Sequence, residues 1–267
     1  MRFRPPSETK SFKVMHMSTI LKQIQTGDAP GFLADIAARE GRDLPFLIAG
    51  LLAGRIVVPK NNGRTLRKPA AIGEGLLTKI NANIGTSPDH DSIEEELEKL
   101  RVAVLCGSDT VMDLSTGARI VETRRRVIAA SDVPVGTVPM YEAAVRSRDK
   151  YKAFVHMTPD DLFEVIDGHG RDGVDFITVH CGATRGVVDL LDRQGRIMDI
   201  VSRGGALLVE WMIYHDRENP LYEHFDRLLE IALRWDMTLS LGDGRGRAAS
   251  RTPPTGPRSE NCWSWGS

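Results

Sequence analysis

The sequence predicts an α/β protein: a (β/α)8 TIM-type barrel, incomplete at its C-terminal end, behind a small N-terminal helical lead-in. Strand-like apolar runs recur after Leu77 with helical stretches between them, at spacings of roughly 30 residues that suit parallel strands joined by crossovers. Asn83, Asp113, His180, Ser202 and Asp243 each fall at or just past the end of a different run. A barrel gathers its strand ends into one rim, the active-site face, and this tips the choice away from an open doubly wound sheet. Six such runs follow Leu77, which leaves the barrel short at its far end.

Residues 1–16, "MRFRPPSETKSFKVMH", read as a polar extension, or as translation from upstream of a true start at Met17; they lack the apolar core of a secretion signal. Over 17–54, Ile20, Leu21, Ile24, Phe32, Leu33, Ile36 and Ala37 recur at helical spacing around the break "TGDAPG". The barrel is expected over 55–244. "RIVVPKNN" is a short strand, and "GRTLRKPAAIGEGLL" a loop-rich connector with a basic, solvated face. "TKINANIG" is a strand, and "SIEEELEKLRVAVLCG" a helix opened by Ser92 with acidic residues in its first turn, where the helix dipole favours them. "TVMDLS", "VPVGTVPM", "VDFITVHCG", "IMDIVSRGG" and "MTLSLGDG" are the later strands, and "ARIVETRRRVIAAS", "YEAAVRSRDKYKAFVHM", "TPDDLFEVIDGHGRDG" and two helices reaching Trp235 lie among them.

Thirty-five Lys and Arg nearly cancel 36 Asp and Glu, so no global field recruits nucleic acid or an acidic membrane. No apolar run has the length of a membrane span. A cytoplasmic protein acting on a small molecule is expected. Cys106, Cys181 and Cys262 lie far apart with no CxxC, so no self-contained metal motif is present; the first two read as buried reduced thiols.

Asn83 offers an amide to a heterocycle or ribose hydroxyl, or else simply forms a turn. "DTVMDLSTG" combines a soft apolar contact in Met112 with the carboxylate of Asp113 and the hydroxyl of Ser115, the last two being alternatively helix caps. The prolines and glycine of "VPVGTVPMYEA" suit a rigid pocket wall carrying Tyr141. His180 ends a nearly continuous apolar strand, where it would serve as hydrogen-bond partner or general acid/base. "IVSRGG" brings Ser202, Arg203 and Gly204 together as a phosphate cradle. "GDGRGR" has no apolar-periodic helix after it and is not read as a nucleotide loop.

Taken in order, "TKINANIGTSP", "SIEEELEKL", "DTVMDLSTG", "VPVGTVPMYEA", "VDFITVHCG", "IVSRGGALLVEWM" and "LSLGDG" resemble the phosphomethylpyrimidine synthase family of thiamine biosynthesis, from about Arg55 to Gly244. The resemblance implies a radical S-adenosylmethionine carbon-carbon lyase with a [4Fe-4S] cluster, S-adenosylmethionine and zinc, converting 5-aminoimidazole ribonucleotide to the phosphorylated hydroxymethyl pyrimidine. It implies substrate contacts at Asn83, Met112, Tyr141, His180, Ser202, Arg203, Gly204, Asp243 and Gly244. A homodimer of the full-length protein and an external electron donor are also implied.

Two departures stand out. The family's aspartate-glycine-leucine-arginine run breaks after Gly244, and the later metal-binding histidines and three closely spaced cysteines are absent, so no metal ligand is assigned. From about Arg245, residues 245–267 are rich in Arg, Pro, Gly, Ser and Trp without apolar periodicity; they read as an out-of-frame tail, the alternative being a genuine disordered one. The chain as written is therefore expected to be inactive. The related synthase that makes 5-hydroxybenzimidazole and a non-catalytic truncated barrel are the competing readings.

Overall fold

A computed structural model describes residues 19–194 and 200–242. Three helices come first: α1 (Ile20–Gln25), α2 (Phe32–Arg39) and α3 (Leu44–Leu52). Thr19 caps α1 by accepting from Lys22 N, and Asp43 caps α3 by accepting from Phe46 N, with Pro45 in the first turn where its missing N–H costs nothing. Strands β1 (Ile56–Val57) and β2 (Ile72–Gly73) pair antiparallel. Ile56, Val58 and Ala71 share a buried cluster with Ile20, Ile24, Leu33, Ile36, Leu47 and Leu51, so the helices and the ribbon pack as one unit.

The rest is built on β3 (Asn81–Ile84), α4 (Ile93–Leu105), β4 (Thr110–Asp113), α5 (Ile120–Ala130), β5 (Val135–Thr137), α6 (Pro139–Tyr151), α7 (Pro159–Asp172), β6 (Phe176–Val179), α8 (Arg185–Gln194), α9 (Arg203–His215), α10 (Pro220–Glu223), α11 (Phe225–Trp235) and β7 (Thr238–Leu241). Strands β3 to β7 form one parallel sheet in chain order. Ile84, Val111, Val135, Ile177 and Val179, at alternate positions, are buried in one cluster with Leu100, Val127, Leu162, Ile166, Leu208 and Leu228 of the helices. The other face carries Asn83, Met112, Phe176, Thr178, Thr238 and Ser240, which are exposed or half-buried. Gly136 has no side chain because the Phe176 ring occupies the place of its Cβ.

Helix α4 follows the expected pattern: Ser92 Oγ accepts from Glu95 N, and Glu94, Glu95 and Glu96 fill the first turn. Helix α7 opens with a capping box between Thr158 and Asp161 behind Pro159.

Two expectations are corrected. The run "IMDIVSRGG" was expected to be a strand, but β6 pairs directly with β7 over four residue pairs, Phe176↔Thr238 to Val179↔Leu241. Residues 195–199 lie outside the described residues; residues 200–202 run outside any strand, and Ser202 caps α9 by accepting from Gly205 N. The basic connector is not wholly solvated either. Arg64 is buried against Asp175 and donates to Ile128 O (2.9 Å) and Ser131 O (2.7 Å).

Candidate functional site

Because all five strands run the same way, their carboxyl ends share one edge, the edge where α/β proteins place ligands. His180 follows β6 immediately and is 6% exposed. Its alternation with Phe176 and Thr178 sets it on the face opposite the helix-covered core. Ser202 Oγ stands 2.8 Å from His180 Nε2. A Cβ on Gly204 would overlap the imidazole, and Gly242 approaches the ring from β7's end. Ring and helix N-terminus are thus in contact because residue 204 is glycine.

Arg203, the first residue of α9, is exposed, and its guanidinium lies 5.4 Å from the centre of the Tyr141 ring, a cation–π arrangement. Tyr141 sits in the first turn of α6, brought there by Pro139 at the helix start. Burial pushes its hydroxyl pKa up, against the pull of the Arg203 charge. Tyr141, His180, Ser202, Arg203 and Gly204 therefore form a connected group from three elements.

Asn83 and Met112 stand side by side in the β3–β4 ladder on the less covered face. Asn83 Oδ1 accepts from Asn81 Nδ2 at 2.9 Å, and the Thr178 hydroxyl is 3.9 Å from Met112 Sδ. They belong to the same face as His180, lower in the sheet. Asp243 and Gly244 lie outside the described residues, as does the expected tail.

Asp113 and Ser115 serve the loops. Asp113 Oδ1 accepts from Ser115 N (2.9 Å) and Ser115 Oγ (2.5 Å), and Ser115 Oγ accepts from Thr86 N (3.0 Å), tying the loops after β3 and β4 together. Burial pushes the Asp113 carboxyl pKa up.

Beneath this edge lies a buried charged cluster that sequence reasoning missed. Arg124 of α5 pairs with Glu142 and with Asp172, and its Nη1 is 2.8 Å from His169 Nε2; His169 Nδ1 is 2.8 Å from Thr137 Oγ1 at the end of β5. Burial alone would raise the Glu142 pKa, but hydrogen bonding and charge from His169 and Arg124 hold it at about 2. Burial pushes the His169 imidazole down to about 4. Glu142 is the neighbour of Tyr141, so the cluster fixes the first turn of α6. The alternation of Phe176, Thr178 and His180 in "DFITVH" sets Thr178 on the face of His180.

Residues 19–251 match the family model described as the radical SAM ThiC family. The chain belongs to that family. It is 55% identical over 226 residues to the phosphomethylpyrimidine synthase of Moorella thermoacetica, covering 85% of this chain and 52% of the relative. The enzyme of that name from Dehalococcoides mccartyi is 51% identical over the same shares, and that of Thermodesulfovibrio yellowstonii 55% identical over 209 residues, 78% of this chain and 49% of the relative. The chain spans about half the length of the curated relatives it matches.

Radical SAM membership implies a [4Fe-4S] cluster and S-adenosylmethionine. The described cysteines do not fit one cluster. Cys106, expected to be buried, is instead exposed where it caps the end of α4 at the amino edge of the sheet, whereas Cys181 is buried as expected after His180 at the carboxyl edge, and burial pushes its thiol up to about 12. A thiolate ligand needs the opposite shift. Among the described residues no group of three or more His, Cys, Asp or Glu is placed to hold a metal ion, and no helix is long and apolar enough to cross a membrane.

Proposed function

We propose that the chain supplies the ribonucleotide-binding part of a phosphomethylpyrimidine synthase, a carbon-carbon lyase of thiamine biosynthesis whose substrate is 5-aminoimidazole ribonucleotide. The supporting observation is the convergence of His180, Ser202, Arg203, Gly204 and Tyr141 at one sheet edge, in a chain that is 51% and 55% identical over 226 residues to two proteins of that name. Arg203 and the first N–H groups of α9 receive the phosphate, since a helix N-terminus and a guanidinium both favour an anion. Tyr141, Met112 and Asn83 face the base and ribose, and His180 holds or moves a proton at its ring nitrogens. The described residues do not fit the cluster, and none of these roles depends on it.

The sheet is read as part of a (β/α)8 barrel. Its strands follow chain order without the reversal of a doubly wound sheet, and helices bury only one face. The less covered face is then the barrel interior. A cytoplasmic homodimer served by an external electron donor and carrying zinc completes the proposal.

Calorimetric titration of the chain with aminoimidazole ribonucleotide tests this. His180→Ala, Arg203→Ala and Ser202→Ala should each weaken binding by about tenfold or more, as loss of a charge-assisted or buried hydrogen bond does. Asp149→Ala, at the exposed side of α6, should leave it unchanged. Equal affinity across all four variants would sink the assignment.

A further inference from the structure

We propose that Asn219 is a positioning residue for His180: it anchors the main chain of the β6–α8 turn so that the imidazole is presented at one fixed place on the carboxyl edge. Asn219 is fully buried. Its Nδ2 donates to His180 O (2.8 Å) and to Ala183 O (3.1 Å), while its Oδ1 accepts from Leu221 N (2.9 Å) and so caps α10. The cap occupies only the oxygen. Both amide protons are spent on the turn that carries His180, and among short side chains that fit a cap only asparagine donates twice while accepting once.

The neighbouring residues reinforce the same grip. The Glu218 carboxylate accepts from Arg185 N (3.1 and 3.3 Å) and from Asn219 N (2.8 Å), and Arg185 pairs with Asp216 at 2.6 Å. His180 is therefore held twice, by the first turn of α9 and by the segment that joins α9 to α10. The first turn seats the ring through Ser202 and Gly204, and the joining segment fastens the backbone. A ring fixed by one contact can swing about its Cα–Cβ bond or move with its loop; a ring seated on α9 whose carbonyl is also fastened by a buried amide can do neither, and site groups held this way keep the geometry on which affinity depends.

The proposal rests on the reading of His180 as a ribonucleotide contact, and the test separates the two. Asn219→Ser keeps a capping oxygen but loses the double donation, so the fold is retained while the anchor is lost. Imidazole nitrogen resonances of His180 in the chain without ribonucleotide should shift and broaden in Asn219→Ser, and by less, in the same direction, in Glu218→Ala, which removes the acceptor of both Arg185 N and Asn219 N and so loosens the anchor. Leu228→Ala, a core change in α11, should lower stability and leave those resonances in place. Affinity for aminoimidazole ribonucleotide should fall roughly tenfold to a hundredfold in Asn219→Ser. Unchanged His180 resonances in both Asn219→Ser and Glu218→Ala would overturn the proposal; if Asn219→Ser does not fold, Glu218→Ala decides alone. Shifted resonances, with His180→Ala binding ribonucleotide as well as the parent chain, would leave the anchor standing and remove the reading of His180 as a contact.

Discussion

The two edges of the parallel sheet solve different problems with the same kinds of residue. At the amino edge, Asp175 is buried and accepts from Asn61 N (2.9 Å) and Val135 N (2.8 Å) while pairing with Arg64. Asp236, before β7, accepts from Ile20 N at 2.9 Å. The bonds of Asn61, Arg64 and Ile20 reach from the N-terminal part of the chain to residues just before β6 and β7, and that of Val135 ties β5 to the start of β6. At the carboxyl edge, His180 is buried and Tyr141 half-buried, but the exposed Arg203 beside them faces outward. Polarity at the first edge locks elements together; at the second, in the function proposed above, it is offered to a ligand. Location in a parallel α/β sheet, rather than residue type, separates stability from binding.

The sharpest break in that contrast is Asp175→Ala. Removing one partner of a buried pair strands the Arg64 charge and leaves two main-chain N–H groups without their acceptor, which costs about 3–5 kcal/mol. Urea denaturation of the chain should show this loss. Variants that remain folded should bind aminoimidazole ribonucleotide as the parent does; a parallel loss of affinity would mean that the two edges are coupled.

Acid should weaken the support of the carboxyl edge through His169 and Glu142. His169 takes up its proton near pH 4 in the folded chain against an ordinary value of 6.5, so the unfolded chain binds more protons between those values. Stability is full above about 6.5 and falls as pH drops toward 4. Glu142, held at about 2 against 4.5, adds a loss of the same sign as pH falls from 4.5 toward 2. The urea midpoint should therefore decline with acid from about pH 6.5, and His169→Gln should flatten the upper part of that decline. An identical slope in the variant would show that His169 is not its source.

The fold was legible where one local rule sufficed. "SIEEELEKL" announced its cap and its acidic first turn, and α4 begins as expected. The carboxyl-edge residues were legible because strand ends in a parallel α/β pattern fall on one side whatever the strand order. "IMDIVSRGG" misled because alternating apolar residues before a glycine pair look alike in a strand and in the approach to a helix; only the β6–β7 ladder decides against a strand between them. Arg64 and Asn219 were illegible for another reason. Their partners, Asp175 and the carbonyls of His180 and Ala183, are 111, 39 and 36 residues away, and no local pattern encodes such a pairing.

Gly204→Ala strikes the carboxyl edge with a smaller change. The added methyl overlaps the His180 ring, so ring or helix must shift, and overpacking of this kind costs about 1–3 kcal/mol. Alanine favours a helix interior over glycine by up to about 1 kcal/mol, which reduces the net loss seen in urea. Binding should suffer more than stability, since the displaced imidazole also leaves Ser202. A variant that bound ribonucleotide normally would show that the ring's seat on α9 is not needed for recognition.

Arg203→Ala should have the smallest effect on folding and one of the largest on binding, and so draws the contrast with Asp175 most directly. Its guanidinium is exposed, and its described contact is the cation–π approach to Tyr141, worth about 0.5–1 kcal/mol at such a site. Alanine at the first position of α9 keeps the helix and its Ser202 cap, so the urea midpoint should move by no more than about 0.5–1 kcal/mol. Removing the cation also relieves the pull on the Tyr141 hydroxyl, whose pKa should rise further; ultraviolet titration of tyrosinate reads that change directly. Ribonucleotide affinity should fall by about tenfold or more, and the loss should shrink as salt rises if the guanidinium meets the phosphate. Arg203→Lys should recover only part of it, because an ammonium lacks the planar fork that receives two phosphate oxygens together. A large loss of stability with unchanged affinity would reverse the roles assigned to the two edges.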